Sequence, residues 1–330
     1  MNPLVSILIP VYKVEPYIER CLHSVLQQDY SPLEIIVVND ASPDGSINIA
    51  RHVIEAEARP GHEVRILTHE RNRGLGGARR TAMEAMHGEW VLILDSDDWW
   101  DNPHMLSEWL AVAQNGGHDV VVGNYSKHFR KKDIPFIIEP EASGRDFAIS
   151  ILSSRQEAYL WNKLFSASLF APFIPFFEEG RNLWEDYYVT PRLLYCAQSV
   201  GYYCGCTVHY EQSNMGSYTH NMTEANAREM RRIIDSLAHF FIEEKGDEAF
   251  RAVIGRALLN LKLQAYLALP LHRRKVVQEL IPEPVEQYLP EMNWRGLTKM
   301  KFRLMEQAVT APLGKALHQA IGTAKRVIYG

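Results

Sequence analysis

A chain of 330 residues, 46% hydrophobic and 23% charged, has room for about two globular domains and excludes disorder, collagen and coiled coil. Thirty-five Lys and Arg against 40 Asp and Glu leave a net charge of −5, too mild for a dedicated nucleic-acid binder, so no nucleic-acid partner is expected. The longest apolar runs, 5–11 and 35–38, are of strand length, and Met1 leads into the first of them without a basic region or cleavage site; the expectation is a cytoplasmic protein without a transmembrane helix.

The first hundred residues alternate strand and helix patterns. Residues 5–9 form a β-branched, buried strand, and Pro16 suits the first turn of a helix whose Ile18, Cys21, Leu22, Val25 and Leu26 share one face. A strand at 33–38, a turn at Ser42-Pro43-Asp44-Gly45, a helix at 47–58 and a strand at 64–67 follow. Gly74-Leu75-Gly76-Gly77 opens a helix running to Gly88, and 90–94 is the fourth strand. That order predicts an α/β, Rossmann-like fold: a mostly parallel central sheet flanked by helices. A helix to Gln114 and strands at 120–122 and 134–138 extend the same sheet, giving one domain over 1–222. Beyond Thr223 only helical periods remain, at 225–241, 249–269 and from 297 onward, so 223–330 reads as a C-terminal helical appendage. From Arg295 it carries seven basic residues against the single acid Glu306, interleaved with apolar positions. This end, 295–330, either lies on an anionic membrane surface as a peripheral contact or is a solvated helix face packing on the core; periodicity weighs the two about evenly. The four cysteines, Cys21, Cys196, Cys204 and Cys206, read as buried thiols, since no second paired cluster completes a zinc site with Cys204 and Cys206.

Parallel sheets of this kind bind ligands outside the carboxyl ends of their strands. Special residues stand at those places: Pro10 and Tyr12, Asn39 and Asp40, Asn72 and Gly74, then Asp95-Ser96-Asp97-Asp98. Three carboxylates within four residues repel one another unless a cation joins them, and hard oxygen ligands suit Mg2+ or Mn2+ with positions left open for phosphates. The plainer alternative is a polar loop in which Asp98 caps the next helix. Arg71, Arg73, Arg79 and Arg80 flank the glycine run, where backbone N–H groups also suit phosphate, although the run is neither a Walker sequence nor G-x-G-x-x-G after the first strand. Acids and glycines together point to a metal-bound diphosphate.

The segments 5–12, 34–45, Asn72-x-Gly74 with Gly77-Ala78-Arg79, and Gly88-Glu89-Trp90-Val91 leading into Leu94-Asp95-Ser96-Asp97-Asp98 resemble the inverting family-2 glycosyltransferases of GT-A fold, of bacterial polysaccharide type. The likeness covers about the first 220 residues. It implies a nucleotide-binding half over 1–105 and an acceptor half over 106–222. It puts Tyr12 against a uracil and Asp40 on the ring N–H, with Pro10, Asn72, Arg79, Asp95 and Ser96 also on the nucleotide sugar. It makes Asp97 a metal ligand, with Asp95 on the ribose or the metal and Asp98 as a third acid. It makes Asp186 of Trp184-Glu185-Asp186 the base, Glu185 its partner, and Trp161 and Lys163 of Trp161-Asn162-Lys163 the acceptor side. The segment 210–219 would be a lid, with His209 or His220 approaching the metal. Asn39 stands where the family often has a first aspartate, and Arg80 where it often has asparagine. No Gln-x-x-Arg-Trp segment is present, which argues against a processive synthase.

The function expected is therefore metal-dependent transfer of one sugar from a UDP-sugar to a hydroxyl of a glycan or lipid-linked saccharide, with inversion. The alternatives are a nucleotidyltransferase acting on a sugar phosphate and a non-catalytic glycan- or membrane-binding module.

Overall fold

The computed structural model describes residues 2–129, 132–214, 223–270, 274–292, 294 and 296–310. Strand β1 (Val5–Val11) is buried at every position, and it lies between β2 (Leu33–Asn39) and β4 (Trp90–Ile93), parallel to both, with β3 (His62–Thr68) outside β2. Buried on both faces, β1 and β2 need the near-continuous apolar runs that their sequences show. The crossovers are α1 (Ile18–Leu26), α2 (Ser46–Glu57) and α3 (Gly74–Ala85). Helix α1 buries Ile18, Cys21, Leu22, Val25 and Leu26, the stripe its periodicity predicts; Pro16 sits in the turn before it.

The rest of the sheet is mixed. After the two-residue β5 (Trp99–Trp100) and α4 (Met105–Gly116) come β6 (Val120–Phe129), β7 (Lys132–Phe136), α5 (Gly144–Leu152), β8 (Lys163–Ser166), α6 (Ala167–Phe170), α7 (Glu185–Cys196) and β9 (Val200–Glu211). The strand order is β3-β2-β1-β4-β8-β6-β9-β5, with β7 pairing β6. The first three pairings are parallel as expected, whereas β8 runs antiparallel to β4 and β6, β7 to β6, and β5 to β9; of the later pairings only β6 with β9 is parallel. The register brings the carboxyl ends of β1, β2 and β3 together, Val11 beside Asn39 and Asn39 beside Thr68.

These elements form one compact unit, except that Leu152–Ser154 belong to a second unit together with the chain from 223. In that second unit α8 (Glu224–Ala238) is capped by Thr223, whose Oγ1 accepts a hydrogen bond from the Asn226 N–H, and passes into a π-helical turn over His239–Glu244. Helix α9 (Phe250–Ala268) is apolar nearly all round and buries Lys262, whose ammonium pairs with Glu286 and, at 3.1 Å, with Glu306. The short α10 (Lys275–Leu280) precedes α11 (Gly296–Thr310), which buries Phe302 and Met305 and sets Phe302 against Tyr266 and Trp294. Of the apolar positions of the basic end, Phe302 and Met305 are packed and Met300 is exposed; 311–330 lie outside the described residues. No described helix is long and apolar enough to cross a membrane.

Candidate active site

The glycine run begins α3 with orphan backbone N–H groups, and in this structure protein acceptors take them. Both oxygens of Asp40 cap the turn: Oδ1 accepts from the Arg73 N–H at 2.7 Å and Oδ2 from the Gly74 N–H at 2.8 Å, while His69 Nδ1 lies 2.7 Å from Oδ1. Asn182 Oδ1 accepts from the Leu75 N–H, and the Arg181 carbonyl from the Gly76 N–H. The glycines are there because the 178–182 segment comes so close that a Cβ at Gly76 would stand 2.4 Å from the Glu178 carbonyl oxygen. The amides expected to cradle phosphate are thereby occupied. Asp40, 2% exposed, anchors the loop at the strand edge.

The arginines separate by role. Arg71 and Arg73 pair with Glu179, and Arg80 with Glu84 on the helix surface. Arg79 alone enters the site, and it faces acids, not an open phosphate position. Its side chain is 0% exposed, with Nη2 2.7 Å from Asp95 Oδ1 and Nη1 at 2.9 Å from Glu185 Oε1 and 2.5 Å from Asp186 Oδ1. One guanidinium therefore joins the acidic loop after β4 to the first turn of α7, a fork that ammonium geometry does not reproduce. Burial would favour its neutral form, but the Asp95, Asp186 and Glu185 carboxylates hold it charged well above the ordinary range. Burial raises the proton affinity of Glu185 and of Asp186, with Arg79 opposing in both. The Leu160 N–H lies 3.3 Å from Asp186 Oδ2. Trp184, just before this turn, sits at φ 56°, a left-handed conformation that a bulky side chain rarely adopts.

In the acidic loop, burial and then the Asp95 charge push Asp97 up to about 6, against a hydrogen bond donated by Asn214 Nδ2 at 2.9 Å. Asp98 is fully buried; its Oδ1 accepts from the Glu211 N–H at 2.9 Å and its Oδ2 has no hydrogen-bond partner. Crowded, mutually repelling carboxylates with an orphan oxygen fit a hard divalent cation, and Asp95 and Asp97, which retain some exposure, are the groups able to hold it.

The other predicted residues divide. Tyr12, half-buried after β1, and the exposed Asn72 stand on the strand-end edge; Pro10 and Ser96 are buried in its frame. Trp161 and Lys163, expected on the acceptor side, are each 1% exposed. Trp161 stacks on Tyr159 and meets Tyr125 and Tyr210; the Lys163 ammonium donates to the Tyr159 carbonyl at 2.5 Å and to Asn162 Oδ1 at 2.8 Å, and burial lowers its pKa to about 7. His209 Nε2 lies 2.7 Å from Asp101 Oδ2, and His220 with 215–219 of the expected lid lies outside the described residues. Three residues escaped sequence reasoning. Asn214 bonds Asp97, Asn182 caps α3, and Arg20 bonds the Asp97 carbonyl and Glu211 while covering the Trp99 ring at 3.4 Å. Arg20 lies on the outer face of α1, where no spacing marks it.

Residues 6–164 match the model of glycosyl transferase family 2. They are a family-2 glycosyltransferase domain. EpsH of Bacillus subtilis (strain 168) is 31% identical over 218 residues, 63% of this chain and 61% of that protein, so the chain spans about three fifths of this relative's length. The crystal structure of S. aureus TarS 1–349 in complex with UDP-GlcNAc shares the fold, with 18% identity, a TM-score of 0.60 and coverage of 86% of this chain and 89% of that one. So does the mannosyltransferase PcManGT from Pyrobaculum calidifontis in complex with GDP-Man and Mn2+, at 17% identity and a TM-score of 0.51, over 100% of this chain and 82% of that one. The family-2 domain thus has the GT-A architecture, with a helical C-terminal region in the chain.

Proposed function

We propose that the protein transfers a single sugar from a UDP-sugar to a hydroxyl of a glycan or lipid-linked saccharide, with inversion at the anomeric carbon. The observation that carries this reading is the Arg79 fork, which holds Asp95 of the acidic loop and Asp186 of α7 on one buried guanidinium. A leaving-group site and a base on one rigid cation suit a single displacement, in which the hydroxyl attacks opposite the departing diphosphate. Burial makes Asp186 a stronger base than a free carboxylate, and Arg79 opposes that rise while fixing the carboxylate that would take the hydroxyl proton. Tyr12 offers its ring face to the base at the edge that Asp40 braces. Asp97 and Asp95 would hold a divalent cation, which would supply positive charge to offset that of the leaving diphosphate. The TarS complex with UDP-GlcNAc and the Mn2+ of PcManGT support the donor class and the metal class respectively.

The test is a panel of UDP- and GDP-sugars with Mn2+ and saccharide acceptors, comparing the parent with Asp186→Asn. The variant is expected to lose transfer by about 10²- to 10⁴-fold, the range of a positioned base, while UDP affinity stays within threefold of the parent, roughly 0.65 kcal/mol. Full turnover by the variant removes Asp186 from the reaction, and pyrophosphate instead of UDP as product rejects glycosyl transfer.

A further inference from the structure

On the strands β7, β6 and β9 three metal-ligating side chains share one sheet face. His128 is the direct cross-strand partner of Asp133, and His209 pairs with Ser126, two residues from His128 and therefore on the same face. The potential donor atoms of His128, Asp133 and His209 all lie within 4.8 Å of one another, with His128 Nδ1 2.6 Å and His209 Nδ1 3.8 Å from Asp133 Oδ1. A tetrahedral zinc site needs ligand atoms about 3.4 Å apart, given bonds near 2.0–2.1 Å, so small side-chain shifts close the gap.

The second observation concerns His209 alone. Its Nε2 lies 2.7 Å from Asp101 Oδ2, which assigns the proton to Nε2 and leaves a lone pair on Nδ1. That Nδ1 is buried without a hydrogen-bond partner, and the nearest polar atom described for it, Asp133 Oδ1, is another acceptor. A buried, unpartnered imidazole nitrogen facing a carboxylate whose side chain is 46% exposed is a pair that a cation entering from solvent would join. The histidine held by a carboxylate on its far nitrogen is the arrangement that orients imidazole toward a metal. With neutral imidazoles, Asp133 and Asp101 contribute two negative charges, which balance a dication.

We propose that His128, Asp133 and His209 bind a borderline divalent transition metal, Zn2+ in the first instance, with Asp101 orienting His209. Mixed nitrogen and oxygen donors distinguish this site from the all-oxygen acidic loop. The site braces the sheet edge beside the reaction centre. His209 stacks on Trp99 at 4.7 Å, Trp99 carries the Arg20 guanidinium on its ring, and Arg20 holds the Asp97 carbonyl and Glu211.

The test titrates Zn2+ into the chelator-treated full chain in excess Mg2+, by competition with a chromophoric chelator, and compares the parent with Asp97→Asn, His128→Gln, Asp133→Asn and Asp101→Asn. One equivalent is expected in the parent and in Asp97→Asn, at least tenfold weaker in His128→Gln and Asp133→Asn, and about 10- to 100-fold weaker in Asp101→Asn. Absence of zinc binding in the parent, its loss in Asp97→Asn alone, or unchanged affinity in His128→Gln and Asp133→Asn overturns the site. Co2+ loaded into the parent gives a readout that needs no variant: an intense visible d–d band of low coordination is expected, and the weak spectrum of six-coordinate Co2+ alone rejects the proposal.

Discussion

Arg79 is the residue that holds the buried ionic cluster together, because Asp95, Glu185 and Asp186 meet on it with no solvent at its guanidinium. Removing the cation from a buried ionic cluster leaves uncompensated charge, at a cost of about 3–5 kcal/mol. Arg79→Met is therefore expected to lower the urea midpoint by that stability, and Arg79→Lys to recover only part of it; a midpoint within error of the parent for Arg79→Met contradicts the cluster. Lys163 gives a pH signature. Its folded pKa of about 7 lies below that of the unfolded chain, so between the two values the unfolded state binds more protons and stability rises with pH. The rise begins near pH 7 and ends where a free lysine titrates, near 10.4. Urea unfolding across this window is expected to show a shallower rise in Lys163→Met than in the parent, and parallel curves would mean that the ammonium is not buried as described.

At the scale of elements, the start of α3 is built around closeness to the 178–182 segment. Gly76→Ala would drive a methyl group into the Glu178 carbonyl, and backbone yields less readily than a flexible side chain. A loss of about 1–3 kcal/mol is expected by denaturant unfolding, larger than for an alanine at Gly117, whose Cβ would meet nothing within 4 Å but whose φ of +64° still carries strain. Much of the element pattern was legible in sequence. The stripe of α1, the buried runs of β1 and β2 and the acids after β4 follow from periodicity and the strand-end rule. What eluded sequence reading is contact between distant segments. The Gly74–Gly77 run has phosphate-site chemistry in sequence, yet Asp40 and Asn182, which lie far from it along the chain, take its N–H groups. The burial of Trp161 and Lys163 was likewise hidden, because a Trp-x-Lys spacing carries no information about burial. The four-residue β8 was hidden for a related reason: Lys163, Leu164, Phe165 and Ser166 are too few for a period, and their antiparallel pairing with β4 and β6 is set by tertiary packing.

For the whole molecule, a ligand that binds only the folded state raises stability by mass action, about 2.7 kcal/mol at a hundredfold excess over its dissociation constant. UDP with Mn2+ is expected to raise the melting temperature of the parent and to leave Asp97→Asn near its ligand-free value, as followed by differential scanning fluorimetry. An equal rise in both proteins would detach the nucleotide from the acidic loop. The parallel half of the sheet, with its local crossovers, was predictable from the alternation of β and α patterns. The mixed half was not, since β9 returns from residue 200 to lie beside β6, which begins at residue 120.

The Arg79 fork has a consequence for biosynthesis. Its acid partners on α7 stand 106 and 107 positions further along the chain, so on the ribosome Arg79 and Asp95 exist long before Glu185 and Asp186 are made. A nascent polypeptide that has emerged only through β6 holds an α3 whose glycines lack the segment they were shaped to meet, and an arginine with one of its three carboxylates. Domains fold as units during synthesis; here the buried ionic cluster is completed only when α7 leaves the exit tunnel, which ties the closing of this part of the domain to translation of its latter part.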